Sequence, residues 1–169
     1  MDNFIIKFIS SQLLVYISRC LLGFLIGYYL MLTFPDYELF WGLISIILVI
    51  SPEGKDARKL TMDRVKSNFI GSLVGLLCVV ISTNPNIPLI MLGIIITCII
   101  CHFFKVMNMA RVAIVALLIV LLQKHVSDIN LTPILRFASV AIGCLIGLMI
   151  TVITSILIKK LKVKYNLEE

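Results

Sequence analysis

The sequence predicts an all-α integral membrane protein with about six transmembrane helices and no soluble domain. Of the 169 residues, 60% are hydrophobic and only 14% are charged, whereas a soluble domain usually carries about 25% charged residues. A chain of this length has too little interior to bury the excess. The first apolar run, Leu13 to Phe34, has 22 residues, and a membrane-spanning helix needs roughly 17–25. Lipid is therefore the expected solvent for most of these side chains.

Six apolar runs define the predicted spans, and turn-forming residues separate them. The turns contain Pro35-Asp36, Ser51-Pro52-Glu53-Gly54, Asn84-Pro85-Asn86 and Asn130-Leu131-Thr132-Pro133. The spans cover about residues 13–34, 38–52, 67–83, 87–104, 107–123 and 134–158. No gap between them is long enough for a second domain. We therefore expect residues 1–169 to form a single transmembrane domain that ends in a basic tail at 159–169.

The distribution of lysine and arginine predicts that both termini are cytoplasmic. Twelve of the fifteen basic residues lie near the termini, or in the loops between spans 2 and 3 and between spans 4 and 5. Lys124 and Arg136 lie on the other side, and Arg19 lies within span 1. Cytoplasmic loops carry the excess of positive charge in membrane proteins. We therefore expect a multi-pass protein of the cell (inner) membrane, with a basic tail that anchors the topology at lipid headgroups.

An internal repeat relates the two halves of the chain, about residues 1–83 and 87–158. Arg64-x6-Gly71-x3-Gly75 recurs as Arg136-x6-Gly143-x3-Gly147, a shift of 72 residues. Because each half has three spans, the two copies would have opposite orientations in the membrane, as in many transporters. Spans 2 and 5 are unusually short and occupy corresponding places, which points to a substrate site at the midplane. Helix extensions into the loops would explain the short spans equally well.

Arginines and small residues share one face on each of three predicted helices. Positions i, i+4, i+7 and i+11 of a helix lie on the same side. The spacing Gly-x3-Gly lets helix backbones approach closely in lipid, so the glycines predict helix packing. The three faces contain Arg19, Gly23 and Gly27 in span 1; Arg64, Asn68, Gly71 and Gly75 in span 3; and Arg136, Gly143 and Gly147 in span 6.

The arginines on these faces are candidates for an anion pathway. A cation inside a membrane is unfavourable by at least about 2.5–3.5 kcal/mol and usually faces the protein interior or water. All nine acidic residues lie in loops or at ends, so the path would attract an anion, repel a cation and lack the carboxylates of a proton pump. We expect Arg19, Arg64 and Arg136 to supply positive potential and Asn68 to form hydrogen bonds. The alternative is that the arginines extend to lipid headgroups.

The pattern argues against an enzyme, a metal protein and a nucleic-acid-binding protein. Inside their ends the spans hold no carboxylate and one histidine, His102, and no motif for a nucleophile, a phosphate loop or a metal site appears. No cofactor and no metal are expected. The net charge of +6 is explained by basic residues on one side of the membrane, without a nucleic-acid partner. The five cysteines lie inside apolar runs, where cysteine acts as a small hydrophobic residue.

Two segments of the chain carry a family resemblance. They are Trp41-Gly-Leu-Ile-Ser-Ile-Ile-Leu-Val-Ile-Ser-Pro52 and Arg64-Val-Lys-Ser-Asn-Phe-Ile-Gly-Ser-Leu-Val-Gly75. Both resemble the membrane domain of the fusaric acid resistance and aromatic acid exporter family, which is distantly similar to aluminium-activated malate channels. The resemblance implies transport of organic anions, usually aromatic carboxylates, and places Arg64, Asn68, Gly71 and Gly75 in the family's recurrent motif. Longer members carry two six-span units, which implies that two copies of this chain assemble.

We therefore expect a transporter or channel-like conduit that exports organic anions across the lipid bilayer. A homo-oligomer is expected, with a dimer favoured. The alternative is a non-transporting membrane subunit or scaffold, whose Gly-x3-Gly faces assemble with a partner protein. Saturable flux of carboxylates into liposomes would distinguish the first function from the second.

Overall fold

The computed structural model describes residues 11–35, 39–52, 54, 56–82, 86–122 and 132–164. The regular elements of these segments are all helical, which confirms the all-α class. In chain order they are α1 (Gln12–Thr33), α2 (Leu39–Val49), α3 (Ala57–Ile81), α4 (Ile87–Phe103), a short 3₁₀ helix (Met107–Met109), α5 (Ala110–Leu122) and α6 (Thr132–Lys164).

Three helices in the described part of the chain are long and apolar enough to cross a membrane. They are α1, α3 and the Ile134–Lys164 part of α6. The other three apolar stretches, α2, α4 and Met107–Leu122, have 10–17 residues each. At about 1.5 Å per residue, the 11 residues of α2 reach little more than half of the roughly 30 Å hydrocarbon core. Six complete crossings therefore stay a prediction.

Two helices extend beyond the predicted spans. α3 begins at Ala57, ten residues before the predicted third span, and α6 continues to Lys164. Hydropathy detects only the part of a helix that suits lipid, whereas the helix itself continues for as long as its backbone hydrogen bonds do. α2 ends earlier than predicted, at Val49, because a residue that precedes proline, here Ser51, is disfavoured in helical geometry.

The end of α4 shows how a tight connection to the next helix is made. Lys105 adopts a left-handed backbone conformation, with φ of 56°, and the Val106 N–H donates to the Cys101 carbonyl at 3.0 Å. This bond joins the first and sixth residues of the turn, as in a Schellman motif, and satisfies a carbonyl that the helix leaves free. The 3₁₀ helix and α5 follow at once, so α4 and α5 form a helical hairpin.

The described chain divides into two compact units. The first contains the described residues of Met1–Thr61 and Ile142–Glu169, and the second contains those of Met62–Ala141. The first unit thus combines α1 and α2 with most of α6, and the second combines α4 and α5 with most of α3. Each unit draws on both sequence halves, so packing does not follow the predicted division at residues 83–87.

In the first unit, two helices pack their glycines against the short helix α2. A Cβ added at Gly23 would lie 2.9 Å from Ile46 Cγ2, and one at Gly27 would lie 3.3 Å from the Leu43 Cα. On α6, a Cβ at Gly143 would meet the backbone of Gly42, whose carbonyl carbon would be only 2.8 Å away. Ile46 is 1% exposed as a result. α2 is therefore the centre of this unit.

In the second unit, the glycines of α3 pack against the short helix α5. A Cβ added at Gly71 would meet the carbonyl group of Ala113, and one at Gly75 would lie 2.9 Å from Val120 Cβ. A core of buried apolar side chains surrounds this contact and consists of Val74, Cys78, Val79, Leu117, Val120 and Leu121. Both units thus place a Gly-x3-Gly face on a short apolar helix.

Large apolar side chains cover much of the surface of the long helices. On α1, for example, Leu21, Leu25, Tyr29 and Leu32 are 59–69% exposed. Soluble monomers rarely expose contiguous apolar patches of more than a few hundred Å². These surfaces fit a protein whose outer solvent is lipid.

Candidate anion-binding residues

Arg19 is buried in the first unit and joins three segments of the chain. Its side chain is 3% exposed. Its Nε donates to Thr154 Oγ1 at 2.8 Å and its Nη2 donates to Ser155 Oγ at 2.9 Å, both on α6. Its Nη1 donates to the carbonyls of Ser51 and Pro52 at 2.7 and 3.1 Å. The guanidinium therefore connects α1, α6 and the turn that follows α2.

The acceptors around Arg19 are two hydroxyls and two carbonyls, so none of these four carries a formal charge. The two carbonyls follow the C-terminus of α2, where the helix dipole places partial negative charge. A cation there is stabilised and, in return, satisfies two carbonyls of the turn that follows the helix, where a buried carbonyl without a partner would be unfavourable. The arrangement explains how α2 can end after 11 residues with the following Ser51 still buried.

A cavity of about 570 Å³ lies beside Arg19 in the first unit. Its walls come from the first two turns of α1, the turn after α2 and the last part of α6. Lys159 and Lys162 of α6 line it together with Arg19, whereas none of the described acidic residues does. The cavity therefore combines three cationic side chains.

In the second unit, Asn68 and Arg136 lie on neighbouring parts of α3 and α6. Phe69 and Phe137, the next residue after each, meet edge to face with ring centroids 5.3 Å apart. Asn68 and Arg136 are themselves 3% and 4% exposed. The structure therefore brings together the helix segments that carry these two predicted site residues, and it buries both side chains.

Two polar atoms on α3 are buried without a hydrogen-bond partner among the described residues. They are Asn68 Nδ2 and Ser72 Oγ. The residues are four apart, so both atoms lie on one face of α3, one turn from each other. Buried polar groups nearly always have a partner, so these two atoms are free to bond a water or a ligand. This pair is the best candidate contact for a substrate in the described chain.

Arg64 and Asp63 lie near the start of α3. Arg64 is one helical turn before Asn68 and is half-buried. Asp63, the neighbouring residue, is the sole acidic residue that the structure describes within a helix, and it too is half-buried. Arg19 belongs to the first unit, whereas Arg64, Asn68 and Arg136 belong to the second. The four predicted site residues are thus distributed over two separate structural units.

Sequence reasoning missed Ser72 and Ser155. Ser72 follows Asn68 by four residues and Ser155 follows Thr151 by four, so helical spacing alone could have found both. A lone serine inside an apolar helix carries little signal, however, because its hydroxyl can bond its own helix. Ser155 Oγ does donate to the Thr151 carbonyl at 2.7 Å, and only the structure shows that it also accepts from Arg19.

No cluster of three or more potential metal ligands occurs in the segments that the structure describes. All five cysteines are free, and Cys78, Cys101 and Cys144 are buried. They pack as small apolar residues; Cys78 and Cys101 belong to apolar clusters of the second unit.

Comparison with known proteins gives one positive result. The family model described as "Fusaric acid resistance protein-like" matches residues 21–150, which is most of the chain. The match includes Arg64, Asn68 and Arg136 and begins two residues after Arg19. No curated protein and no solved structure matches the chain. The distant similarity to aluminium-activated malate channels stays a prediction.

Proposed function

The chain belongs to the fusaric acid resistance protein-like family, and we propose that it carries organic anions, aromatic carboxylates in particular, out of the cell. Membership indicates a membrane protein that resembles a transporter. The substrate class is our proposal. It rests mainly on one observation: Asn68 Nδ2 and Ser72 Oγ are buried on one face of α3 and lack partners in the described chain.

These residues offer the chemistry that a carboxylate needs. The amide of Asn68 and the hydroxyl of Ser72 can donate hydrogen bonds, and buried Arg136 brings a permanent positive charge to the same unit. Hydrogen bonds from neutral and charged donors replace the hydration of an anion. In the described helices, the one carboxylate is Asp63, at the start of α3. A cation would therefore find little to compensate for its lost hydration.

The two short helices support the inverted-repeat architecture of a transporter. α2 and α5 correspond under the 72-residue shift of the sequence repeat, and each receives a Gly-x3-Gly face from a long helix. Short or broken helices in corresponding places are typical of transporter repeats. We propose six crossings in a 3+3 inverted repeat, in which Arg19 helps to satisfy the backbone where α2 ends. We also propose a homo-oligomer, with a dimer favoured, since longer family members are expected to carry two such units.

The proposed topology predicts which loops are cytoplasmic. In a background without the five native cysteines, single cysteines at positions 55 and 160 should react with a membrane-impermeant thiol reagent only from the cytoplasmic side. Cysteines at positions 84 and 128 should react only from the outside. Positions 55, 84 and 128 lie outside the described residues, so this expectation derives from the lysine and arginine distribution. Labelling of position 84 from the cytoplasmic side would contradict the orientation and the inverted repeat.

The transport proposal is tested by removing one charge or one donor at a time. We expect Arg64→Gln, Arg136→Gln and Asn68→Ala each to reduce benzoate flux into proteoliposomes, by about tenfold for Arg136→Gln. A unit charge 4 Å from an anion contributes roughly 4 kcal/mol at an effective dielectric of about 20, and about 1.4 kcal/mol already corresponds to a factor of ten. Asn68→Asp should reduce flux further, because it places a negative charge where the anion binds.

Arg111→Gln is the matched control for this experiment. Arg111 is exposed at the start of α5, so its loss removes the same charge from the chain without changing the buried site. Its flux should equal that of the wild type. All variants are compared at equal protein content, with the oligomeric state checked by size exclusion. Wild-type flux in correctly assembled Arg64→Gln and Arg136→Gln would refute an anion path that uses these arginines.

A further inference from the structure

In the described part of the chain, the charged side chains that line the cavity beside Arg19 are all cationic. Arg19, Lys159 and Lys162 line it, and none of the described residues that line it is acidic. Among the described residues, the acceptors that Arg19 bonds to are uncharged. A buried cation without a counter-charge is unfavourable in a low dielectric, so an anion that enters this space would be strongly stabilised. The described residues of the site therefore favour a negatively charged ligand.

The wall that α6 contributes changes from apolar to cationic along its length. Val152, Ile156, Lys159 and Lys162 line the cavity and recur at spacings of three and four, so they share one helix face. Val152 and Ile156 are 43% and 52% exposed, which leaves their side chains open to an apolar neighbour. The four residues cover about 15 Å of helix at 1.5 Å per residue.

This order of groups matches the order of groups in a phospholipid. The lysines lie where α6 emerges from its apolar run, at the level expected for headgroups, while Val152 and Ile156 lie at the level of acyl chains. Gln12, the first residue of α1, adds an amide to the lining of the cavity. A small soluble acid shares the negative charge of a lipid phosphate, but it has no chain to cover the apolar part of the wall.

We propose that this cavity binds an anionic phospholipid. The phosphate lies among Arg19, Lys159 and Lys162, and an acyl chain packs along Val152 and Ile156. Basic pockets between membrane helices on the cytoplasmic side are known to take such headgroups. All five residues lie outside residues 21–150, the range that matches the family. Arg19 and Val152 each lie two positions beyond its ends. The site is thus separate from the proposed transport residues of the second unit, and its existence does not rest on the transport function.

Delipidated protein in neutral detergent tests the proposal. Thermal unfolding is followed while phosphatidylglycerol or phosphatidylcholine with the same acyl chains is added. We expect saturable stabilisation by phosphatidylglycerol and none by phosphatidylcholine. In the double variant Lys159→Gln/Lys162→Gln, the apparent affinity for phosphatidylglycerol should fall about tenfold or more, because two of the three cations at the site are gone.

The same helix provides a matched control. Lys160 and Lys164 are exposed and do not line the cavity, so Lys160→Gln/Lys164→Gln removes equal charge from the same segment and should bind phosphatidylglycerol like the wild type. Equal loss in both double variants would mean general attraction to a negative surface and would overturn the site. Stabilisation by phosphatidylcholine as strong as that by phosphatidylglycerol would also overturn it.

Soluble anions carry the same negative charge as a lipid phosphate, so a separate experiment tests whether the cavity binds a free anion instead. Inorganic phosphate and benzoate are added in place of lipid, at equal ionic strength. If either stabilises the protein through Lys159 and Lys162 while phosphatidylglycerol does not, the cavity binds a free anion and the lipid assignment is wrong. The test does not measure transport, so loss of flux in the Arg136→Gln variant leaves its result unchanged.

Discussion

Gly143→Ala is expected to destabilise the first unit by about 3 kcal/mol, the upper end of the usual range for overpacking. The added methyl group would meet the backbone of Gly42 in α2, with the carbonyl carbon and Cα both at 2.8 Å. A backbone cannot rotate away as a side chain does, so α6 and α2 must separate. Gly71→Ala should have a similar effect in the second unit, because its methyl group would meet the Ala113 carbonyl carbon at 2.9 Å.

Buried native cysteines allow each unit to be measured by itself. Cys144 and Cys101 are both 0% exposed, and they lie in the first and second units respectively. In variants that retain only one of them, the reaction of a fluorogenic thiol reagent during denaturation reports when that unit opens. We expect Gly143→Ala to shift the midpoint at Cys144, and Gly71→Ala to shift the midpoint at Cys101.

Gly93→Ala is the matched control for both substitutions. Its methyl group would meet side-chain atoms only, Cys78 Sγ at 3.2 Å and the Leu117 methyl groups at 3.5 Å. These atoms can move by a few tenths of an ångström, and alanine also favours a helix over glycine by up to about 1 kcal/mol. Gly93→Ala should therefore change stability little. Equal shifts for all three variants would show that the Gly-x3-Gly faces have no special packing role.

Arg19→Met is expected to destabilise the first unit by about 2–5 kcal/mol. The substitution keeps a long side chain but removes four hydrogen bonds, and a buried acceptor that loses its partner costs about 1–3 kcal/mol. The buried Ser51 carbonyl is the most affected group. The Thr154 and Ser155 hydroxyls are less affected, because they still donate to carbonyls within α6. Removing a buried cation offsets part of the loss, which is why the range is wide.

Labelling of Cys144 during denaturation measures this effect as well. Thr154→Val removes one of the four bonds and should have a smaller effect, about 1 kcal/mol. Arg19→Lys keeps the charge but cannot reach two carbonyls and two hydroxyls at once, so it should lie between the two variants. If Arg19→Met is no more destabilising than Thr154→Val, the arginine does not hold the three segments together.

The sequence by itself determined the class of protein and the residues that share a helix face. The length and number of apolar runs depend only on composition along the chain, and the spacing of Arg64, Asn68 and Gly71 depends only on helical geometry. The family could also be identified from two short segments. The turn chemistry, such as the proline after Ser51, located most helix ends to within a few residues. All of these are local properties, so the sequence contains them directly.

Only the tertiary structure decided which face meets which helix. Nothing local distinguishes Gly143, which meets α2, from Gly71, which meets α5. The acceptors of Arg19 include two backbone carbonyls, and because every residue has a carbonyl, no residue type could have indicated them. Burial of Asn68 Nδ2 and Ser72 Oγ without a partner among the described residues likewise depends on the helices that surround α3. Such features arise from contacts between residues far apart in the chain, which periodicity and composition do not encode.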